Sequence, residues 1–224
     1  MIRAVLLDVD GTLIDSNDQH AESWTEVLAA NGHPVPVAEI RRLIGMGGDK
    51  LLSLTVQIDE ESDEGKRISE QRSKLFKERY LPHLKAFPQV TELLTRMHEQ
   101  GLRLAVASSA REDELKTLLE LAGATDLIEA QASSSEVENS KPDPDIVQTA
   151  LDKLGCPAEE VVMLGDTPYD VEAAGKAGVG VIALRCGGWS DADLHGALAI
   201  YTDAADLLAQ YDQSPLAGAG ARDG

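Results

Sequence analysis

Cysteine is scarce in this chain. Only Cys156 and Cys186 occur, neither at a metal-ligand spacing, so there is no disulfide framework and a reducing compartment is expected. Positive charge is short as well. Lys and Arg number 20 against 39 Asp and Glu, and the net charge of −19 is spread along the chain rather than gathered in a block. That argues against a nucleic-acid or anionic-membrane partner. No apolar run approaches the roughly 18 residues of a membrane span, and the N-terminal one is cut by Asp8 and Asp10. No internal repeat is present. The expectation is a soluble, cytoplasmic protein, and 224 residues suit one core domain plus a substantial insertion.

What the chain does have is chemistry gathered in four short islands. The apolar run Arg3-Ala4-Val5-Leu6-Leu7 reads as a buried strand and stops at Asp8-Val9-Asp10-Gly11-Thr12. In open α/β sheets ligands bind outside the carboxyl ends of strands, so two carboxylates are set at an active-site position. A calcium loop counted from Asp8 would need glycine sixth and glutamate twelfth, where Leu13 and Gln19 stand. The second island, Leu102 to Ser109, is another apolar run, ending in hydroxyls at Ser108 and Ser109 that can donate to a phosphoryl oxygen or cap a helix. In the third, Lys141 precedes the helix opening Pro142-Asp143-Pro144. In the fourth, the strand Val161-Val162-Met163-Leu164 ends in Gly165-Asp166, with Asp170 in the first turn of the following helix; Asp166 as a simple helix cap is the plainer alternative.

These islands, in this order, resemble the haloacid dehalogenase superfamily and specifically its phosphatase branch, over essentially the whole chain. The resemblance implies Asp8 as nucleophile, Asp10 as general acid/base, and Ser108, Ser109 and Lys141 as the phosphoryl clamp. It also implies Mg²⁺ held by Asp8 and Asp166, with the Asp10 carbonyl as a further ligand and Asp170 in support, and a small phosphorylated metabolite as substrate. To protonate a leaving oxygen, Asp10 needs a raised pKa, which a dense acidic neighbourhood can supply.

Strand-like runs near 102–107, 127–131, 161–165 and 179–184 alternate with helical patterns near 89–100, 111–122, 144–154 and 168–177. The fold class is therefore α/β, a doubly wound parallel sheet built from 1–15 and 83–213. Residues 16–82 carry helical periodicity and predict an inserted four-helix cap; residues 214–224 are Gly/Ala-rich and predict a mobile tail. The cap is expected to set specificity by closing over the leaving group. Asp15-Ser16-x-x-x-His20-x-x-x-Trp24 resembles the cap entry of β-phosphoglucomutase-like proteins, where a histidine at this place assists the acid/base aspartate. Gly47, Gly48 and Lys50 lie in a glycine-rich loop that offers N–H groups and an ammonium to an anionic leaving group. The basic cluster Lys66, Arg67, Arg72, Lys74, Lys77 and Arg79 reads mostly as a solvated helix face, with one member able to point into the cleft. Two rival functions stay open: a sugar-phosphate mutase, and a non-catalytic binding protein on the same fold. Phosphoglycolate, a sugar phosphate and a nucleotide monophosphate are all candidate substrates.

Overall fold

A computed structural model describes residues 1–219. Strand β1 (Ala4–Leu7) leads to the short β2 (Ile14–Asp15) and then to helices α1 (Asn17–Ala30), α2 (Val37–Arg41), α3 (Gly48–Val56) and α4 (Asp63–Leu75). A π-helical turn, Phe76–Tyr80, and a 3-10 turn, Leu81–His83, return the chain to β3 (Lys85–Ala86). Alternation follows: α5 (Val90–Glu99), β4 (Arg103–Ala107), α6 (Glu112–Leu121), β5 (Ile128–Ala132), α7 (Asp145–Leu154), β6 (Val161–Gly165), α8 (Pro168–Lys176), β7 (Gly180–Leu184), β8 (Ala199–Tyr201) and α9 (Ala204–Ala209).

Among the described residues six strands form one parallel sheet in the order β5-β4-β1-β6-β7-β8. The chain winds outward from β1 through β4 and β5, then returns to β6 on the other side of β1. That reversal places a crevice at the carboxyl ends of β1, β4 and β6. Because side chains alternate, Val5, Leu7, Leu104, Val106, Val162 and Leu164 face one apolar layer with α5, α6 and α9. Ala4, Leu6, Ala105, Ala107, Val161 and Met163 face the other with α7 and α8. Both faces being covered explains why the strands read as unbroken apolar runs.

Helices α1 to α4 enclose a third apolar cluster that includes Trp24, Leu28, Ile40, Leu52 and Ile68. β2 and β3, through which the chain leaves and re-enters the sheet region, pair antiparallel with each other. No described helix is long and apolar enough to cross a membrane.

The structure departs from the sequence expectations at three places. The helical periodicity expected over 16–82 does not end in one regular helix: α4 changes to the π-helical turn after Leu75. β8 and α9, only 3 and 6 residues long, were too short to register as periodic patterns. Of the tail expected to be mobile, Ser214 to Ala219 is packed: Leu216 and Ala219 are buried in the apolar layer beside Tyr211, and the Ser214 hydroxyl accepts from the Leu216 amide. Two apolar side chains anchor a stretch whose small residues alone suggested otherwise. Residues 220–224 of that expectation lie outside the described residues.

Candidate active site

Asp8 leaves β1 with its amide donating to the Leu164 carbonyl of β6, which fixes the residue between two strand ends. Its Oδ1 receives Lys141 Nζ at 2.6 Å, and the same ammonium reaches Asp170 Oδ1 at 2.7 Å. Lys141 is fully buried. Thr12 Oγ1 bridges the next pair, 2.9 Å from Asp166 Oδ1 and 3.3 Å from Asp8 Oδ2. Asn17 Nδ2 donates to Asp166 Oδ2 at 3.0 Å. Asp166 is not the helix cap: Thr167 caps α8, exchanging hydrogen bonds with Asp170 in a capping box. Asp166 is thereby left free to face the cluster. Gly11, at φ +81°, and Gly187 close around it, and a Cβ at either would collide with the Asp166 carboxylate.

One carboxylate oxygen from each of Asp8, Asp166 and Asp170 can be chosen so that all lie within 4.8 Å of one another, and all three residues are buried. One ammonium pairs with two of these three carboxylates, Asp8 and Asp170. Burial, only partly offset by Lys141 and reinforced by Asp170 and Asp166, holds the Asp8 carboxyl well above its ordinary range. Burial and the Asp170 charge push Asp166 up to about 7. Such a deficit of positive charge among oxygen donors fits a hard divalent cation. The Asp170 carboxylate, expected in a supporting role, stands in the cluster beside those of Asp8 and Asp166.

Asp10 belongs to a second constellation. Its Oδ1 accepts from Ser16 Oγ at 2.6 Å and meets His20 Nε2 at 2.7 Å. Burial opposes the charged form here too, but the pairing with His20, the Ser16 hydroxyl and Arg72 outweigh it and hold Asp10 below the ordinary range. The sequence led to the opposite expectation, a raised pKa. The acids crowd around Asp8 instead, while donors surround Asp10. His20 stacks on Phe76 with ring centroids 4.2 Å apart, and its Nδ1 meets Arg72 Nη2. Arg72 Nη1 reaches Glu114 Oε2 at 3.3 Å. Arg72 is therefore the member of the basic cluster that turns inward; Lys66, Arg67, Lys74, Lys77 and Arg79 each pair with an acid elsewhere.

Asp8, Asp10 and Ser108 open together into a cavity of about 1240 Å³ between the sheet and the helices, lined also by His20, Gly47 and Gly48. Ser108 Oγ accepts from the Ala110 amide, leaving its proton available. Ser109 lines the cavity too, but its hydroxyl donates to the Gly45 carbonyl. Lys50 is turned away, its Nζ 2.8 Å from Asp143, and the Gly47 amide donates to Ser140 Oγ. Thr12, Asn17 and Glu114 were not singled out as site residues in the sequence. Thr12 stood inside the first island and Asn17 at a helix start, but Glu114 looked like one of several acids in a first helical turn.

The sequence profile of haloacid dehalogenase-like hydrolases matches residues 5–184. The chain belongs to that family. Among related haloacid dehalogenase-like proteins, phosphoglycolate phosphatase of Rhodospirillum rubrum is 31% identical over 217 residues, covering 92% of this chain and 90% of the relative. Phosphorylated carbohydrates phosphatase of Thermotoga maritima is 29% identical, covering 80% of this chain and 82% of its own length. A crystal structure of a Pseudomonas syringae hydrolase superposes with a TM-score of 0.86 at 32% identity, covering 94% of this chain and 98% of that one. β-Phosphoglucomutase from Clostridium difficile, 19% identical with a TM-score of 0.79 and covering 95% of this chain and 96% of its own, shares the fold.

Proposed function

We propose that the protein is a magnesium-dependent phosphatase that hydrolyses monoesters of small phosphorylated metabolites through an aspartyl-phosphate on Asp8. The observation that carries this reading is the placement of Asp8: one carboxylate shared between the buried cluster with Asp166, Asp170 and Lys141 and a cavity that also exposes Asp10 and Ser108. A carboxylate approaching a phosphate meets repulsion of order 4 kcal/mol per charge pair at about 4 Å and an effective dielectric near 20. Mg²⁺ held by Asp8, Asp166 and Asp170 would supply the positive charge that offsets it.

The chain's own residues account for the rest. Lys141 holds Asp8 Oδ1, which sets the attacking group and neutralises charge beside the phosphorus. The Ser108 hydroxyl is free to donate to a phosphoryl oxygen. The ester P–O bond breaks as the Asp8 O–P bond forms, and Asp10 gives its proton to the departing oxygen. Asp10 takes that proton up once the phosphate dianion, a like charge, occupies the cavity and raises its pKa. In the second half Asp10 removes a proton from water, whose oxygen bonds to phosphorus as the Asp8 O–P bond breaks. Inorganic phosphate leaves and Asp10 is again protonated. Helices α1 to α4 cover the leaving group as a cap and exclude bulk water.

The mutase reading needs a cation in the Gly47-Gly48-Asp49-Lys50 loop to hold a second phosphate. Asp49 accepts from Ser140 and Lys50 pairs with Asp143, so that loop turns no cation into the cavity. This favours transfer to water. A phosphate-release screen over phosphoglycolate, sugar phosphates and nucleotide monophosphates, with and without Mg²⁺, tests the reading. Metal-dependent release is expected, and conversion of β-glucose 1-phosphate to glucose 6-phosphate without free phosphate, given a bisphosphate primer, would replace it by the mutase.

A further inference from the structure

Glu114 sits on α6 in the sheet domain, with 1% of its surface exposed, and is not among the partners of Asp8. It accepts from two α4 residues, Ser73 Oγ at 2.8 Å and Arg72 Nη1 at 3.3 Å. A buried guanidinium–carboxylate pair is a weak device for stability, because desolvation consumes most of the attraction. What the pair holds is more informative. A guanidinium has donors only, so where Arg72 Nη2 meets His20 Nδ1 the imidazole nitrogen must accept. Facing Arg72, the ring then carries its single proton on Nε2, aimed at Asp10 Oδ1 2.7 Å away. The Ser16 hydroxyl lands on the same oxygen. Among the described residues Asp10 Oδ2 has no protein donor, and it is the oxygen left for the substrate.

We propose that Glu114 is a positioning residue for the reaction: by holding Arg72 it fixes the tautomer and tilt of His20, and through them which oxygen of Asp10 works on the leaving group. The assignment rests on the phosphatase reading above. The contacts run from the sheet domain (Asp10) to α1 (His20), to α4 (Arg72) and back to the sheet domain (Glu114), so the set is complete only when the helices are seated on the sheet domain. The packing around it is apolar and aromatic. Phe76 lies under both His20 and Arg72, with the guanidinium carbon 4.5 Å from the ring centroid. Asp10, the one catalytic group in the chain of contacts, is 62 residues from Arg72 and 104 from Glu114 in sequence, which is why periodicity cannot reveal the link.

A matched pair of esters tests this. p-Nitrophenyl phosphate expels a phenolate that needs no proton, whereas benzyl phosphate, of similar shape, expels an alkoxide that does. Because kcat/KM reports the first irreversible step, a residue acting through Asp10 lowers it selectively for the benzyl ester. Glu114→Gln and Arg72→Met are each expected to lose at least about tenfold more on benzyl than on p-nitrophenyl phosphate, a modest share of what general acid catalysis supplies. The double variant, which buries no charge and so keeps the fold, should show the same selectivity. Ser73→Ala removes only the other bond to Glu114 and should change both esters by one common factor. Equal losses on the two esters in the double variant, or no loss, would overturn the proposal and leave the phosphatase reading standing. A wild-type enzyme that releases phosphate from neither ester nor any metabolite removes the phosphatase reading itself, and the inference with it.

Discussion

Asp8 and Asp10 are two residues apart on one turn, yet their surroundings drive them in opposite directions. Around Asp8 stand two more buried carboxylates and one ammonium, and its carboxyl is held well above the ordinary range. Around Asp10 stand a hydroxyl, an imidazole and a guanidinium, and its carboxyl is held below it. Neighbouring acids with divergent environments are how one site assigns different tasks to the same residue type. On the proposed mechanism the first environment, short of cationic charge, takes an ion, and the second, rich in donors, needs the substrate's own charge to load a proton.

The sharpest way to break this comparison is to neutralise each carboxylate in turn. Asp8→Asn should abolish turnover, by at least about 10⁴-fold in kcat, on every ester whatever its leaving group, since no phosphoenzyme can form. Asp10→Asn should cost about 10²–10⁴-fold. It should do so least for p-nitrophenyl phosphate when measured as kcat/KM. Equal losses from the two variants on both esters would show that the two carboxylates do not divide the labour.

Metal dependence separates the environments next. Asp8 and Asp166 titrate above the ordinary range in the folded chain, so on raising the pH the unfolded chain loses these protons first. The contribution of this cluster to stability is then full below the unfolded value of about 4 and falls as pH rises toward the folded value of Asp166, about 7. Metal-free protein should therefore lose a few degrees of Tm between pH 5 and pH 8, with Mg²⁺ restoring more at pH 8, where it does not compete with protons. Asp166→Asn should flatten both trends in differential scanning calorimetry; an unchanged pH slope in that variant would place the destabilising charge elsewhere. The smallest effect is expected at Ser16→Ala, which removes one of two hydrogen bonds to Asp10 Oδ1. A loss of about 1 kcal/mol, or about fivefold in kcat, would match an ordinary hydrogen bond to this group, and metal-dependent stability should not move.

The two constellations were unequally legible in the sequence. The Asp8 cluster could be read because each member ends a recognisable apolar run or opens a helix: strand β1 stops at Asp8, β6 at Asp166, and Asp170 follows in the first turn of α8. In a parallel sheet those ends converge whatever the loops do. The Asp10 constellation could be read only as far as His20, which lies on the same stretch of chain. Arg72 was one of six basic residues in and just after α4, and the choice among them is made by Glu114 on a helix that periodicity cannot orient against α4. Lys50 shows the same limit from the other side, since its partner Asp143 belongs to a distant loop and takes it out of the cavity. β8 and α9 were missed because three strand residues and six helical ones give no period to detect.

Ile14 faces Ala86 and Asp15 faces Lys85, so the outgoing and returning segments of the chain are bonded side by side. Everything from Ser16 to Leu84 is consequently joined along the chain through a single two-stranded ribbon rather than through two separate tethers. That ribbon begins within a few residues of Asp10, so the proposed acid/base group stands at the foot of the strand by which the chain leaves the sheet.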